Sequence, residues 1–349
     1  MDDIAVDYEY GTLKEVIVGR GIMLYPDMDQ ARWAAEGVGV LPEAEAEKMW
    51  ERSGRLSTDL PKTRLVETEN DALIEILERF GVVVHRPTEV TRELVVANYG
   101  EEWLVNGFIQ TYSRDPMFVV GDNVIELAPG APLRRAEILG YRKLFAERVE
   151  GSGAKWFQMP VVDATSMTSG DYDKNDHAAL EGGDLLVLGR TILAGTTLNP
   201  TVGSSARGVA WLATILGPQG YDVEQVRIGP EFLHLDVCLS IPRDGLAIAC
   251  PGAFVDGLPS ALDGWDLIEV TTRQARLLAC NGLPIDPDNY ILGYNDDEDG
   301  SMVRGELEAR GITVHAIPFG NHTEDGGSIR CATHPLVRCL ADPHARGRT

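Results

Sequence analysis

The sequence predicts a mixed α/β protein built from repeated modules, and two observations carry that reading. Apolar runs of strand length alternate with segments of helical period along the whole chain. A helix–Gly–strand unit also recurs near both ends and again in the middle. The first copy is Leu77-Glu-Arg-Phe-Gly-Val-Val-Val-His85-Arg-Pro87, and the last is Leu307-Glu-Ala-Arg-Gly-Ile-Thr-Val-His315-Ala-Ile-Pro318. A weaker copy runs Leu216-Gly-Pro-Gln-Gly220-Tyr-Asp-Val223. In each, the glycine fits the left-handed position that closes a helix before the chain turns into a strand. Units placed at both ends and in the middle suggest modules repeated around one axis in a single propeller-like domain, the alternative being that the same local pattern occurs in any α/β protein.

Taken in order, strands are expected at Glu15–Gly19, Gly81–His85, Met117–Gly121, Leu185–Leu188, Ile192–Ala194, Leu246–Ala249, Tyr290–Gly293 and Ile312–Ile317. Helices are expected at Asp71–Phe80, Leu133–Val149, Ser205–Leu216, Thr272–Cys280 and Met302–Arg310. Val162–Ala179, rich in Asp, Ser and Thr, reads as a long loop and a candidate lid. Asn295–Gly300 resembles a calcium loop but lacks the alternating ligands and the distal Glu, so it reads as a solvated turn. The modules are read as one catalytic domain over 1–340, followed by a disordered tail at 341–349.

With 349 residues, 44% hydrophobic and 24% charged, and a mean hydropathy of −0.10, the chain is of ordinary globular composition. Its 31 Lys and Arg against 54 Asp and Glu give a net charge of −23 and a pI near 4.6. Such a field repels phosphate backbones and anionic lipid, so neither nucleic acid nor a membrane is an expected partner. It suits a cationic ligand, and is equally what a generally acidic proteome produces. The five cysteines are odd in number and lack CxxC spacing, which argues against a disulfide framework or a zinc site. The N-terminus has no apolar leader, so the expected location is the cytoplasm. No nucleotide-binding loop is visible, and neither a cofactor nor a metal is expected. A homo-oligomer is compatible with the sequence.

Four short motifs lie in order along the chain: Ser113-Arg-Asp115-Pro, Glu181-Gly-Gly-Asp184, His234-Leu-Asp236, and Gly326-Gly-Ser-Ile-Arg330-Cys331-Ala-Thr-His334-Pro. Cys331 follows two glycines on a chain entering an apolar segment, where its sulfur could face a cleft near backbone N–H groups that stabilise a thiolate; it could also be a small core residue beside a turn. Cys238, Cys250 and Cys280 sit inside apolar runs and read as core. Strand alternation would put His234 and Asp236 on one face, supplying a proton donor and a cation anchor, or an edge-strand polar face. Glu181 could orient and charge the imidazole. Asp184 could do related work or bond backbone within the turn, and Asp115 could be a turn residue bonding its own backbone. Two carboxylates facing one site are also what a permanently protonated, forked guanidinium requires.

At these residues the sequence resembles the guanidino-group-modifying superfamily, known for the pentein fold, which includes amidinotransferases, arginine deiminases and dimethylarginine hydrolases. The ordered motifs span Asp115 to Cys331. The resemblance implies a pseudo-fivefold α/β propeller of ββαβ-type repeats with the active site on its axis. Matched by position, it implies Cys331 as nucleophile, His234 as general acid/base, Glu181 as its carboxylate partner, and Asp115 and Asp236 as guanidinium clamps, with Asp184 and Arg330 among the substrate-binding residues. The opening Asp7–Gly19 and the stretch Arg114–Glu126 look like the amidinotransferases. Glu181-Gly-Gly-Asp184 and the ending Cys331-Ala-Thr-His-Pro-Leu-Val-Arg338 are nearer the deiminases. Arg330 stands where both groups commonly have His, and no Arg near Ala253 matches the one that binds the donor carboxylate in amidinotransferases.

The expected activity is therefore transfer of the amidino group of arginine, or another guanidino donor, to an amine acceptor through a covalent amidino-Cys intermediate. The alternative is a hydrolase or deiminase releasing a ureido product, and the remote alternative is a non-catalytic binding protein of the same fold. The expected partners are small molecules, a guanidino donor and an amine acceptor.

Overall fold

The computed structural model describes residues 3–27, 43–163, 167 and 172–339. The tail at 341–349 and much of the proposed lid, 164–166 and 168–171, lie outside them.

One unit of sheet topology is repeated along the chain. A strand pairs antiparallel with the next one, which pairs parallel with a third after a crossover. Met117–Val120, Asn123–Glu126 and Lys155–Gln158 form the first such set. Leu185–Leu188, Thr191–Thr197 and Asp222–Ile228 form the second. Leu239–Arg243, Leu246–Ala249 and Asp266–Glu269 form the third, and Leu283–Asp286, Asn289–Tyr294 and Thr313–Pro318 the fourth. The last is closed by the two ends of the chain. Thr333–Cys339 pairs antiparallel with Thr12–Val18, which pairs parallel with Val83–His85, and Ala5–Val6 adds a fourth strand. Parallel neighbours need such crossovers because a tight hairpin cannot join them.

The crossovers follow from local chemistry. The helix Ala206–Leu216 starts where the Ser205 side chain accepts a hydrogen bond from the Gly208 N–H, and it buries Val209, Leu212 and Leu216. The helix Lys62–Arg79 starts after Pro61 and buries Val66, Leu73, Ile76 and Leu77. Each such Leu, fully removed from water, contributes about 1.5–3 kcal/mol. The recurring glycine does what its position predicts: Gly81, Gly220 and Gly311 have φ of 73°, 85° and 80°. A Cβ there would be strained by the backbone alone.

Three expectations are corrected. Leu133–Val149 is not one helix but two short 3₁₀ turns, Pro132–Arg134 and Glu137–Gly140, then a helix at Arg142–Val149. The polar pair Arg134 and Glu137 is buried inside those turns, tied to Asp115, rather than set on a solvent face. Thr272–Cys280 is helical only over Thr272–Arg276, because Leu278 takes a φ of 69° and ends it. His234-Leu-Asp236 is not strand: His234 is extended, and Leu235–Cys238 is a helical turn. The carboxylate of Asp184 accepts the Leu235 N–H at 2.9 Å, which satisfies an amide at the start of that turn. In Asn295–Gly300 the Asn295 side chain accepts from the N–H groups of Asp297 and Glu298, as a turn requires.

Candidate active site

The predicted residues come from different units yet occupy the same place in each, just before the first strand of the set. Asp115 precedes Met117–Val120, Glu181 and Asp184 precede Leu185–Leu188, His234 and Asp236 precede Leu239–Arg243, and Cys331 precedes Thr333–Cys339. All of them are buried.

His234 stands between two carboxylates. Its Nε2 is 2.5 Å from Glu181 Oε2, and its Nδ1 is 3.6 Å from Asp115 Oδ1. Glu181 is fixed in turn by accepting the Gly130 N–H at 2.8 Å. Burial works against the imidazolium, but Asp115, Asp184 and the bond to Glu181 outweigh it and raise the His234 pKa to about 10. For Glu181, burial favours the neutral acid, and the bond to His234 more than offsets that, so its pKa lies below the usual carboxylate value. The chain can pack these groups because Gly183 has no side chain. A Cβ there would lie 2.6 Å from His234 Nδ1 and 2.9 Å from Asp115 Oδ1.

Asp115 accepts the Gly183 N–H at 2.8 Å on Oδ1 and an Arg134 Nη2–H at 2.8 Å on Oδ2. Burial alone would raise its pKa; His234 and Arg134 hold it below the normal range instead. Arg134 also binds Glu137 through both carboxylate oxygens. Nothing in the spacing of the sequence marked Arg134 as part of this cluster.

Cys331 Sγ lies 3.7 Å from Asp236 Oδ2 and 4.0 Å from Oδ1. Burial, then Asp236 and Asp115, push the thiol well above its ordinary pKa. The resting pair is therefore a neutral thiol and an imidazolium. Asp236 is held by Arg330, whose Nη1–H reaches Oδ2 at 2.8 Å. Arg330 also donates to both oxygens of Glu9 at 3.2 Å and to the Leu185 carbonyl at 2.8 Å. Its guanidinium is thus engaged within the protein, in contact with Asp236 and Glu9. Asp184 accepts the N–H groups of Leu235 at 2.9 Å and Ser204 at 3.0 Å, and burial raises its pKa to about 6. Both residues contact the site framework, and the backbone amides that Asp184 binds lie on other segments, at Ser204 and Leu235, rather than within its own turn.

Cys331 packs in one apolar cluster with Met23, Tyr25, Met49, Ile109 and Tyr112. Met49 belongs to the helix Glu43–Glu51. The described part of the expected lid packs beside the Glu181 turn: Tyr172 donates to the carbonyl of Gly130, whose N–H binds Glu181, and Lys174 is buried against the carbonyls of Thr197 and Ser204. A cavity of about 350 Å³ opens beside the motifs. Leu233 and Val237, flanking His234 and Asp236, line it together with Gly326 and the carboxylates Glu231, Asp296 and Glu324. Its charge suits a cation. Among the described residues no group of His, Cys, Asp and Glu is arranged to hold a metal ion, and no helix is long and apolar enough to cross a membrane.

No family model matches the chain. It is 26% identical over 358 residues to the L-arginine:L-lysine amidinotransferase of Pseudomonas savastanoi pv. phaseolicola, covering 95% of this chain and 93% of that protein. It is also 26% identical over 358 residues to inosamine-phosphate amidinotransferase 1 of Streptomyces glaucescens, covering 97% of each. Among solved structures, the inosamine-phosphate amidinotransferase of Streptomyces griseus superposes with a TM-score of 0.75 at 21% identity, over 97% of both chains. The resemblance to the guanidino-group-modifying enzymes thus extends from the motifs to nearly the whole chain, and the chain shares their mixed α/β fold.

Proposed function

We propose that this chain is an amidinotransferase that moves the amidino group of a guanidino donor, with arginine as the leading candidate, to an amine acceptor. The observation that carries the chemistry is the buried array Glu181–His234–Asp115 in the same site framework as a cysteine that faces Asp236. The sequence relatives, matched over nearly the whole chain, support transfer as the reaction type.

The donor guanidinium lies between Asp115 and Asp236, which a forked cation can bridge with charge-assisted hydrogen bonds. Its positive charge offsets the carboxylates that hold the Cys331 thiol neutral. The thiol then loses its proton to solvent, and the thiolate attacks the guanidino carbon. His234, already an imidazolium, gives its proton to the departing amine as the C–N bond breaks, leaving an amidino-thioether on Cys331. The acceptor amine then attacks that carbon, His234 takes the proton the amine sheds, and the thiolate leaves. Glu181 keeps the imidazole oriented through both halves.

The finer architecture belongs to the same reading. Five repeated sheet units, four of them carrying a motif residue just before the first strand, fit a pseudo-fivefold propeller with an axial site, in one catalytic domain over 1–340. The chain works as a cytoplasmic enzyme on small molecules.

The test is mass spectrometry of product from guanidino-labelled arginine with and without a panel of amines. Intact-protein spectra should show an amidino adduct on the wild type and none on Cys331→Ala. An adduct that persists in Cys331→Ala removes the assignment of the nucleophile.

A further inference from the structure

The four motifs account for the residue in front of the first strand in four of the repeated units. The remaining unit begins with Leu283–Asp286, and the residue at the corresponding place is Asn281. It lies two residues before its strand, as Cys331 and Asp115 do before theirs.

Asn281 is 1% exposed, and its polar groups are directed at the site framework. The side-chain oxygen accepts the Cys331 N–H at 3.1 Å. The side-chain nitrogen donates to the Asp236 carbonyl at 3.2 Å. Its own carbonyl accepts the Arg330 N–H at 3.1 Å. One amide therefore fastens the nucleophile to the residue that faces its sulfur, across separations of 50 and 45 residues.

The approach to Asn281 is unusual as well. Leu278 is the only non-glycine with positive φ among the described residues, at 69°. Its carbonyl accepts the Asn281 N–H at 2.9 Å and closes the turn. A backbone that keeps a leucine in this conformation is over-determined by its surroundings, and such positions cluster at functional sites.

We infer that Asn281 is a positioning residue for the transfer reaction, setting the Cys331 backbone against Asp236. It acts through the placement of Cys331, where an error near 1 Å can cost about a hundredfold in rate; its side-chain amide also favours the thiolate, a smaller effect than burial and the carboxylates that hold the thiol neutral. The inference rests on the amidinotransferase reading, but its geometry can be tested without any guanidino substrate.

Two variants separate the role from plain structural support. Asn281→Leu is nearly isosteric and removes both hydrogen bonds, whereas Asn281→Asp keeps an acceptor for the Cys331 N–H and adds a negative charge beside the thiol. In turnover, Asn281→Leu should lower kcat about a hundredfold with little change in donor KM, and Asn281→Asp should recover part of that loss. In alkylation of Cys331 by iodoacetamide, without substrate, Asn281→Leu should react faster than wild type, because the buried sulfur is no longer held away from the reagent and this gain in access exceeds the small loss of thiolate stabilisation by the amide. Asn281→Asp should react more slowly because the added carboxylate disfavours the thiolate. Should Asn281→Leu be too unstable to isolate, slower alkylation with lowered kcat in Asn281→Asp still supports the role. Alkylation that rises in both variants, or changes in neither, overturns it. Opposite alkylation shifts in a protein that turns over no guanidino donor would leave the positioning role standing and remove the amidinotransferase reading instead.

Discussion

Arg134 donates an Nη2–H to Asp115 Oδ2 across 2.8 Å, so a guanidinium of the chain itself already rests on one of the two carboxylates proposed to bind the donor. With Oδ1 accepting from Gly183, Asp115 is kept ionised and immobile before any ligand arrives.

Arg134→Met should raise the Asp115 pKa, since burial is then opposed by His234 without Arg134. A carboxylate with a depressed folded pKa stabilises the protein above its unfolded value and loses that contribution as pH falls through the folded one. The variant should therefore be less stable than wild type at neutral pH, by about 3–5 kcal/mol for a broken buried pair, with a difference that shrinks on acidification. Denaturant titrations at pH 4 and 7 read this. The acid limb of kcat/KM should also move to higher pH; a profile identical to wild type removes Asp115 from donor binding.

Asp236→Asn should have opposite effects on reactivity and turnover. After burial, Asp236 is the main influence holding the Cys331 thiol neutral. The variant should be alkylated by iodoacetamide faster than wild type at pH 8. Turnover of a guanidino donor should fall by about 1.5–3 kcal/mol in kcat/KM, because a charge-assisted contact to a permanent cation is lost. If both quantities moved together, the carboxylate would not be both thiol restraint and clamp.

The charge on His234 should be visible in stability. Its folded pKa is raised from 6.5 to about 10, so its contribution is complete below pH 6.5 and is lost as pH rises towards 10. His234→Gln should flatten the decline in unfolding free energy across that window, measured by denaturant midpoints at constant salt. An unchanged slope would mean that the imidazole is neutral in the folded protein.

The sequence made the repeat legible where the cause is local. Gly81 and Gly311 close helices in a conformation that any other residue resists, so the motif survives as a pattern. Asp115, Glu181, His234 and Cys331 were legible as an ordered set, and each stands at the head of a sheet unit. What spacing could not give are contacts made only on folding. Arg134 reads as one more charge on a predicted helix until its turns fold it onto Asp115. Asn281 meets Cys331 from 50 residues away. His234 and Asp236 were placed on a strand because alternation fits them, yet a carboxylate at Leu235 N–H favours a helical turn instead.

Transfer differs from hydrolysis in whether water reaches the amidino-thioether before the amine, and Cys331 shares an apolar cluster with a side chain of a helix from the N-terminal third. Met49 of the helix Glu43–Glu51 packs with Cys331, Tyr25 and Tyr112. The same helix reaches the segment before the nucleophile through Lys48 Nζ to Glu324 at 3.3 Å, and Arg52 follows it with bonds to Glu324 at 3.0 Å and Asp325 at 3.3 Å. Partly exposed ion pairs of this kind are worth about 0–1 kcal/mol each. Truncating a buried Met side chain costs about 2–5 kcal/mol. The apolar contact should therefore dominate the closure, with the ion pairs setting its register. Met49→Ala should raise the yield of ureido product formed without an acceptor, relative to transfer with saturating amine, while Arg52→Ala should raise it less. Labelled arginine and quantification of both products give the ratio directly. Wild type that releases ureido product and ammonia rapidly with no amine present would replace the transferase reading with hydrolysis, and Met49→Ala would then leave the product ratio unchanged.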